Sequence, residues 1–130
     1  MPEAKIFEML DTPAPVNGRF RRYRFPKQRA QRICRAMTGL ADIRLDHYNP
    51  VAFRDNIQGL EGVGPKTASW IARNWLDTDE VAILDIHVLR AGWFLGLFDR
   101  DCRLPNDYLA LEKQFLIFAK NLHVRASVLD

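Results

Sequence analysis

Apolar residues recur at helical spacing along most of the chain, and short polar segments that contain proline or glycine separate the runs. Ala30, Ile33, Cys34 and Met37 stand at i, i+3, i+4 and i+7, which predicts one apolar helix face behind Pro26. The same pattern predicts helices over 2–10, from 50, over 65–75, over 86–97 and from 105, and the start of another over 126–130. No segment is convincing as a strand, so the expected fold class is all-α with short connections.

Capping residues sharpen two of these helix starts. Asn49 precedes Pro50, and asparagine at the N-cap with proline at the first helical position is a strong start signal. Asp85 is a good N-cap for the helix that follows it. The run Val81–Leu84 before Asp85 has only four residues, and we predict a buried apolar approach to that helix rather than a strand.

The length of 130 residues predicts a single domain. Residues 11–24 contain Pro13, Pro15 and Gly18 and are predicted as a loop. We therefore expect a short helix and basic loop over residues 1–24, followed by a helical domain over residues 25–130. Trp75 and Trp93 are expected in the core of that domain.

Positive charge is concentrated in one block, although the formal net charge is only +3. From Arg19 to Arg35 the sequence has seven arginines and Lys27, and it has no acid. Such a block suits a nucleic-acid phosphate backbone, with Arg22, Arg24 and Lys27 as candidate contacts. The alternative is a solvated, partly disordered arm.

The two cysteines, Cys34 and Cys102, exclude some cofactor classes. Two thiolates cannot complete an iron–sulfur cluster or an all-cysteine zinc site, and we expect both thiols to be reduced. The N-terminus has no signal-peptide pattern, and no apolar run is long enough to cross a membrane. These observations predict a cytoplasmic protein without a membrane partner.

The segment GLEGVGPKTASW, residues 59–70, breaks two predicted helices sharply. Gly62 and Gly64 can adopt positive φ and carry no side chain that would block a close neighbour. Backbone N–H groups at the start of the Pro65 helix then point outward beside the positive end of the helix dipole, which suits a phosphate. Helix–glycine–helix turns also occur in many proteins that bind no nucleic acid.

Lys66 is the unusual residue of this segment. In the first helical turn the positive dipole end disfavours its ammonium form, and a neutral lysine is a nucleophile that can form a Schiff base. Short connections can bring Asp85, at the next helix start, into the same cleft, where an ionised carboxylate stabilises developing positive charge. The alternatives are a solvated or phosphate-binding lysine and an ordinary N-cap.

Together, LEGVGPKTAS and VAILDIHVLRAG resemble the helix-hairpin-helix, Gly/Pro-rich loop and catalytic-aspartate signature of the DNA glycosylase superfamily. FPKQRAQRICRA and ILDIHVLR are most similar to the compact 8-oxoguanine DNA glycosylase/lyases. The resemblance covers residues 25–130 and is densest over residues 59–92. It implies a helix-hairpin-helix glycosylase fold and double-stranded DNA as the partner of a nucleoid-associated protein.

The resemblance implies a role for each matched residue. Lys66 attacks C1′ of the target nucleotide, displaces the base and forms an imine that leads to β-elimination of the 3′ phosphate. Asp85 helps to activate Lys66 and stabilises the sugar cation. His87 matches a position near the DNA backbone, with a partly buried helix histidine as the alternative. Trp70 lines the base pocket, with a core tryptophan as the alternative.

The resemblance implies no required cofactor, but it does imply ligands at the hairpin. The backbone of Gly62 and Gly64 grips a DNA phosphate. In the family the hairpin carbonyls often bind a monovalent cation, Na⁺ or K⁺, and the matching positions here are Gln58, Leu60 and Val63.

The pattern departs from the family at both ends. Family members have several helices ahead of the stretch matched by Phe25, and the compact class continues beyond the position of Asp130. Both segments contribute to base recognition, so we expect an incomplete helical barrel. A second copy in a homodimer, or a partner chain, would complete the base pocket.

Two functions compete on these grounds. The first is a DNA glycosylase and abasic-site lyase that acts on 8-oxoguanine through Lys66 and Asp85. The second is a non-catalytic or partner-dependent DNA-binding module derived from a glycosylase. The third possibility is a purely structural helical protein, but it does not explain why the hairpin, the Lys66–Asp85 pair and the arginine block occur in one chain.

Overall fold

The computed structural model describes residues 2–130 and confirms the predicted helical fold class. A small antiparallel sheet is inserted near the N-terminus. The elements in chain order are α1 (Glu3–Asp11), β1 (Ala14–Val16), β2 (Arg19–Arg21), α2 (Pro26–Asp42), α3 (Pro50–Gln58), α4 (Pro65–Leu76), α5 (Ile86–Phe94), α6 (Tyr108–Asn121) and α7 (Ala126–Leu129).

The two strands correct the expectation that no segment forms a strand. Asn17 and Gly18 both have positive φ, 50° and 75°, and this backbone matches the twist of a two-residue hairpin. The strands pair in register from Ala14 opposite Arg21 to Val16 opposite Arg19. Asn-Gly between short extended runs was the overlooked signal, because the prolines nearby suggested only a loop.

Local capping signals are confirmed at three helix starts. Pro26 is the first residue of α2 and Pro50 is the first residue of α3. Asn49 accepts a hydrogen bond from the Ala52 backbone N–H at 3.0 Å, and Asp85 caps α5. A side-chain oxygen that accepts an otherwise unpaired N–H fixes the first turn.

Two helix boundaries differ by more than one residue from the expected ones. The predicted helix over residues 86–97 ends at Phe94, because Gly96 turns into the left-handed region with φ 70°. The backbone N–H groups of Leu97 and Phe98 then both donate to Gly92 O. The last long helix begins at Tyr108 rather than at Pro105, since residues 104–107 form turns.

The chain divides into two compact units. The first comprises the residues up to Ile43 together with Leu60–Gly62, and in it α1 packs against α2. The second comprises Arg44–Gly59 and Val63–Asp130, where α3 packs against α4 and α6 against α7. The predicted boundary at residue 24 stays a prediction.

The core of the second unit lies among α5, α6 and α7 and the segment before α5. Its buried members are Ala82, Leu84, Leu89, Phe98, Tyr108, Leu111, Phe115, Ala119 and Ala126. Trp93 packs against this cluster, as predicted. The expectation for Trp75 is wrong, because α4 buries the face of Ala68, Ser69, Ala72 and Arg73, and Trp75 lies outside that face with 71% of its surface exposed.

Candidate active site

The hairpin between α3 and α4 leaves the start of α4 without a side-chain cap. Gly62 has φ 81°, a conformation that glycine adopts at little cost. Gly64 is the N-cap of α4, and no atom of the described part of the chain lies within 4 Å of the place where a Cβ on Gly64 would stand. The backbone ahead of Pro65 is therefore open to an approaching group.

Lys66 and Asp85 lie at two neighbouring helix starts. Lys66 is the second residue of α4, and Asp85 is the N-cap of α5. Asp85 Oδ1 accepts hydrogen bonds from the backbone N–H groups of His87 at 2.8 Å and Val88 at 3.0 Å. Its other oxygen, Oδ2, lies 3.7 Å from Lys66 Nζ. One carboxylate oxygen thus starts a helix, and the other faces the lysine.

The pKa of the Asp85 carboxyl is lowered from its ordinary value. The hydrogen bond from the Val88 backbone is the largest cause, and burial opposes it. The His87 backbone bond and the positive charge of Lys66 lower the pKa further. The carboxylate is therefore ionised at neutral pH, and it can stabilise a positive charge that develops beside it.

A cleft of about 470 Å³ opens in front of this pair, within the size range of small-molecule pockets. The Lys66 side chain is 57% exposed and the Asp85 side chain is 32% exposed, so both are accessible from solvent. The remaining walls come from the starts of α4 and α5 and from the residues that precede α6: Gly64, Pro65, Thr67, Leu84, Ile86, His87, Leu104, Pro105 and Tyr108.

The irregular segment Val81–Leu84, called the strap below, leads into Asp85 and is held by two side chains of α6. The Tyr108 hydroxyl donates to Ala82 O at 2.6 Å and accepts from the Leu84 backbone N–H at 3.1 Å. Glu112 Oε1 accepts from the Ala82 backbone N–H at 2.8 Å. Because the strap forms no sheet, these side chains satisfy backbone groups that would otherwise be buried without partners.

Two further side chains bind the strap. Arg73 donates from Nη2 to Val81 O, and Asp130 Oδ2 accepts from the Ile83 backbone N–H at 2.7 Å. Arg73 Nη1 also pairs with Asp130 Oδ1 at 2.7 Å. The residues before Asp85 are thereby fixed through groups that belong to α4, α6 and the residue after α7.

A buried ion pair supports this arrangement. Arg54 Nη1 lies 2.9 Å from Glu112 Oε2 and 3.1 Å from Oε1, and the two residues are only 2% and 5% exposed. Arg54 Nη1 also donates to Ser69 Oγ at 3.2 Å. Burial alone would lower the pKa of Arg54, but the Glu112 and Asp55 carboxylates together outweigh burial, and the pKa is raised.

The residues that hold the strap escaped the sequence analysis. One signal was present: Glu112 stands four residues after Tyr108 and three before Phe115, inside an apolar helix face. A charged residue in such a face is normally paired. The identity of its partner, Arg54, cannot be read from the sequence, because the two residues are distant in the chain and meet only after folding.

The other predicted site residues lie at different places. His87 is exposed and lines the cleft. Trp70 is 56% exposed and is not among the residues that line the cleft. Arg22, Arg24 and Lys27 are exposed and belong to the first unit. The roles assigned to these residues stay predictions.

The predicted monovalent cation at the carbonyls of Gln58, Leu60 and Val63 also stays a prediction. Within residues 2–130, no group of three His, Cys, Asp or Glu side chains could hold a metal ion, and this observation does not concern carbonyl ligands. Over the same residues, every helix is too short or too polar to cross a membrane.

Comparison with known proteins adds one finding. The sequence model of a family described as 8-oxoguanine DNA glycosylase matches residues 6–124. The search of curated proteins and the search of solved structures gave no significant match.

Proposed function

The chain belongs to the 8-oxoguanine DNA glycosylase family, and on that premise we propose that it is a DNA glycosylase and abasic-site lyase. The proposed substrate is 8-oxoguanine in double-stranded DNA. One observation carries the proposal: Lys66 Nζ and Asp85 Oδ2 lie 3.7 Å apart at the mouth of a cleft. A structural helical module, or one that only binds DNA, needs neither residue at that place.

In the proposed reaction the neutral amine of Lys66 attacks C1′ of the damaged nucleotide. The N–C1′ bond forms, the glycosidic bond breaks, and its electron pair leaves with the base, which takes up a proton. The amine then loses a proton, the C1′–O4′ bond breaks with its electron pair on O4′, and O4′ takes up a proton, which gives an imine. Loss of a C2′ proton breaks the C3′–O bond and releases the 3′ phosphate. Water finally hydrolyses the imine and restores Lys66.

Asp85 would act mainly through its charge. Its depressed pKa keeps it ionised, so it stabilises the positive charge that develops on the sugar as the base departs. The separation of 3.7 Å from Lys66 is longer than a hydrogen bond. Catalytic contacts often tighten only when substrate is bound.

DNA would be bound by the backbone of the hairpin and by basic side chains. The open backbone at Gly64 is suited to a phosphate, which would place the adjoining sugar in front of Lys66. Arg22, Arg24 and Lys27 would add phosphate contacts from the basic block.

A second copy of the chain or a partner chain remains part of the proposal. Large apolar side chains are exposed in the second unit, among them Phe94 at 89% and Trp75 at 71%. Size-exclusion chromatography with light scattering tests this, and a monomer with full activity on its own would contradict it.

Borohydride trapping tests the proposed chemistry, because reduction of the imine leaves a covalent protein–DNA adduct. The protein is mixed with duplexes that carry an abasic site or 8-oxoguanine opposite cytosine. We expect adducts on both duplexes, loss of both with Lys66→Gln, and strong reduction with Asp85→Asn. Lys113→Gln is the matched control, since Lys113 is an exposed lysine on α6 that does not line the cleft.

Each contrary outcome has a definite meaning. An adduct on the abasic duplex alone would reduce the function to a lyase. An adduct that survives Lys66→Gln would assign the nucleophile to another residue. DNA binding without any adduct would favour the alternative function, a non-catalytic DNA-binding module.

A further inference from the structure

Three exposed aromatic side chains lie within six consecutive residues of the first unit. Phe20, Tyr23 and Phe25 are 77%, 45% and 62% exposed. They belong to residues 14–25, called the arm below, which contain the β1–β2 hairpin and the link to α2. Single exposed apolar residues are ordinary on protein surfaces, but a cluster of aromatic rings commonly marks a binding surface.

The arm carries positive charge that no carboxylate neutralises. Arg19, Arg21, Arg22 and Arg24 lie within it, and none of the ion pairs formed by the described residues involves any of them. Arg35, farther along the same basic block, differs because it pairs with Glu61 at 2.6 Å. The arm therefore presents rings and unneutralised guanidinium groups together.

Two arginines lie against two of the rings. The Arg24 guanidinium carbon is 4.9 Å from the centre of the Phe25 ring. The Arg29 guanidinium carbon is 5.9 Å from the centre of the Tyr23 ring, and Arg29 Nε donates to the Tyr23 hydroxyl at 3.1 Å. Guanidinium groups and aromatic rings that lie side by side in this way can both contact a nucleobase.

The ring of Phe20 is presented differently. Phe20 pairs with Pro15 across the hairpin, and strand alternation places Arg19 and Arg21 on the opposite face. At 77% exposure, the Phe20 ring is the most accessible of the three, and none of the cation–π contacts within residues 2–130 involves it.

The backbone at Phe25 is a separate sign of function. Phe25 has φ 65° and ψ 52°, the left-handed region that a bulky side chain rarely occupies. Because its ring is 62% exposed, burial of the ring does not compensate for this strain. Such strain persists mostly at functional positions.

We propose that the arm binds unpaired nucleotides of DNA, with its aromatic rings stacked on bases and its arginines on phosphates. Arginines alone would suffice to bind the phosphates of a duplex, whereas exposed rings contribute only where bases are unstacked and accessible. This activity goes beyond the proposed base excision and does not rest on the chemistry of Lys66.

Fluorescence anisotropy with an oligothymidine strand of about 12 nucleotides, and with a duplex of equal length, tests the proposal. Lys66→Gln is the background, so that the substrate strand stays intact. We expect Phe20→Ala to weaken single-strand binding by roughly 5- to 100-fold. The duplex affinity should change far less. Tyr48→Ala is the matched control, because Tyr48 is an aromatic residue that is 99% exposed and lies outside the arm, and it should change neither affinity.

Salt dependence separates stacking from phosphate contact. Arg21→Gln should reduce the slope of log affinity against log salt by about 0.7 on the single strand, since one phosphate contact is lost. Phe20→Ala should leave that slope unchanged. Equal losses on duplex and single strand, or unchanged single-strand binding by both Phe20→Ala and Phe25→Ala, would overturn the proposal. A protein that binds the single strand through the arm but never forms an adduct would refute the proposed lyase function alone.

Discussion

Replacing Glu112 with glutamine tests how much the buried ion pair contributes to stability. Glutamine keeps the volume of the side chain and an oxygen for the Ala82 backbone N–H, but it removes the negative charge. Arg54 is 2% exposed and would keep its own charge in the interior. Its remaining carboxylate contact is Asp55, whose side chain is 54% exposed.

The expected loss follows from burial. Removing one partner of a buried pair costs about 3 to 5 kcal/mol, because the other charge is left uncompensated. A domain of this size is stable by about 5 to 15 kcal/mol in total. We therefore expect Glu112→Gln to lower the melting temperature by about 10 to 20 °C, measured by far-ultraviolet circular dichroism.

Glu61→Gln is the matched control, because Glu61 forms an even shorter ion pair at the surface. Arg35 Nη1 lies 2.6 Å from Glu61 Oε1, but the two side chains are 61% and 52% exposed. Water replaces the lost partner there, so we expect a cost below about 1 kcal/mol. Equal effects of the two substitutions would refute the reasoning. They would show that the burial of an ion pair does not determine how much stability is lost when one partner is removed.

Three further predictions concern the site and its supports. Tyr108→Phe removes both hydrogen bonds of the hydroxyl to the strap, and we expect it to slow single-turnover adduct formation about 10- to 100-fold with DNA affinity unchanged. The control is Tyr48→Phe, which should have no effect because Tyr48 is 99% exposed. Equal rates of adduct formation by Tyr108→Phe and Tyr48→Phe would show that the strap does not position Asp85. The pKa of Asp79 is lowered to about 2, because hydrogen bonds from the Ser127 backbone and from Arg125 outweigh burial, which alone would raise it. This stabilisation is fully present above about pH 4 and is lost as the pH falls towards 2, so wild type and Asp79→Asn should differ in urea unfolding at pH 6 and converge near pH 2. A stability difference between wild type and Asp79→Asn that stays constant from pH 6 to pH 2 would contradict the lowered pKa of Asp79. Gly64→Ala adds a Cβ into open space, so the melting temperature should not change, whereas DNA affinity should fall about tenfold if a phosphate lies against this backbone; unchanged affinity would exclude that contact.

The sequence predicted the parts of the structure that depend on neighbouring residues. Asn49, Asp85 and the prolines at helix starts act within one turn, so their effects could be read directly. Asn17 and Gly18 carry an equally local signal, and the hairpin was missed because nearby prolines were given more weight. Trp75 was misplaced because residue type alone does not show which face of a helix is buried.

The contacts that hold the strap beside the site could not be predicted in the same way. Lys66 and Asp85 were paired from the capping pattern and from family resemblance, and they do lie at neighbouring helix starts. The strap is held by residues as distant in sequence as Arg73 and Asp130. Such contacts depend on how helices pack, and a hydrophobic pattern defines which faces are buried but not which residues meet across them.

The two carboxylate oxygens of Asp85 make different contacts, since one caps α5 and the other faces Lys66. This difference has an evolutionary consequence. Serine or asparagine at position 85 would still cap α5, because either side chain can accept the same backbone hydrogen bonds. Neither would carry a charge towards Lys66. A single substitution would therefore remove most of the proposed chemistry while the protein continued to fold and to hold its ligand. Descendants of such a protein would be free to become binding subunits, and that path would require no intermediate that fails to fold.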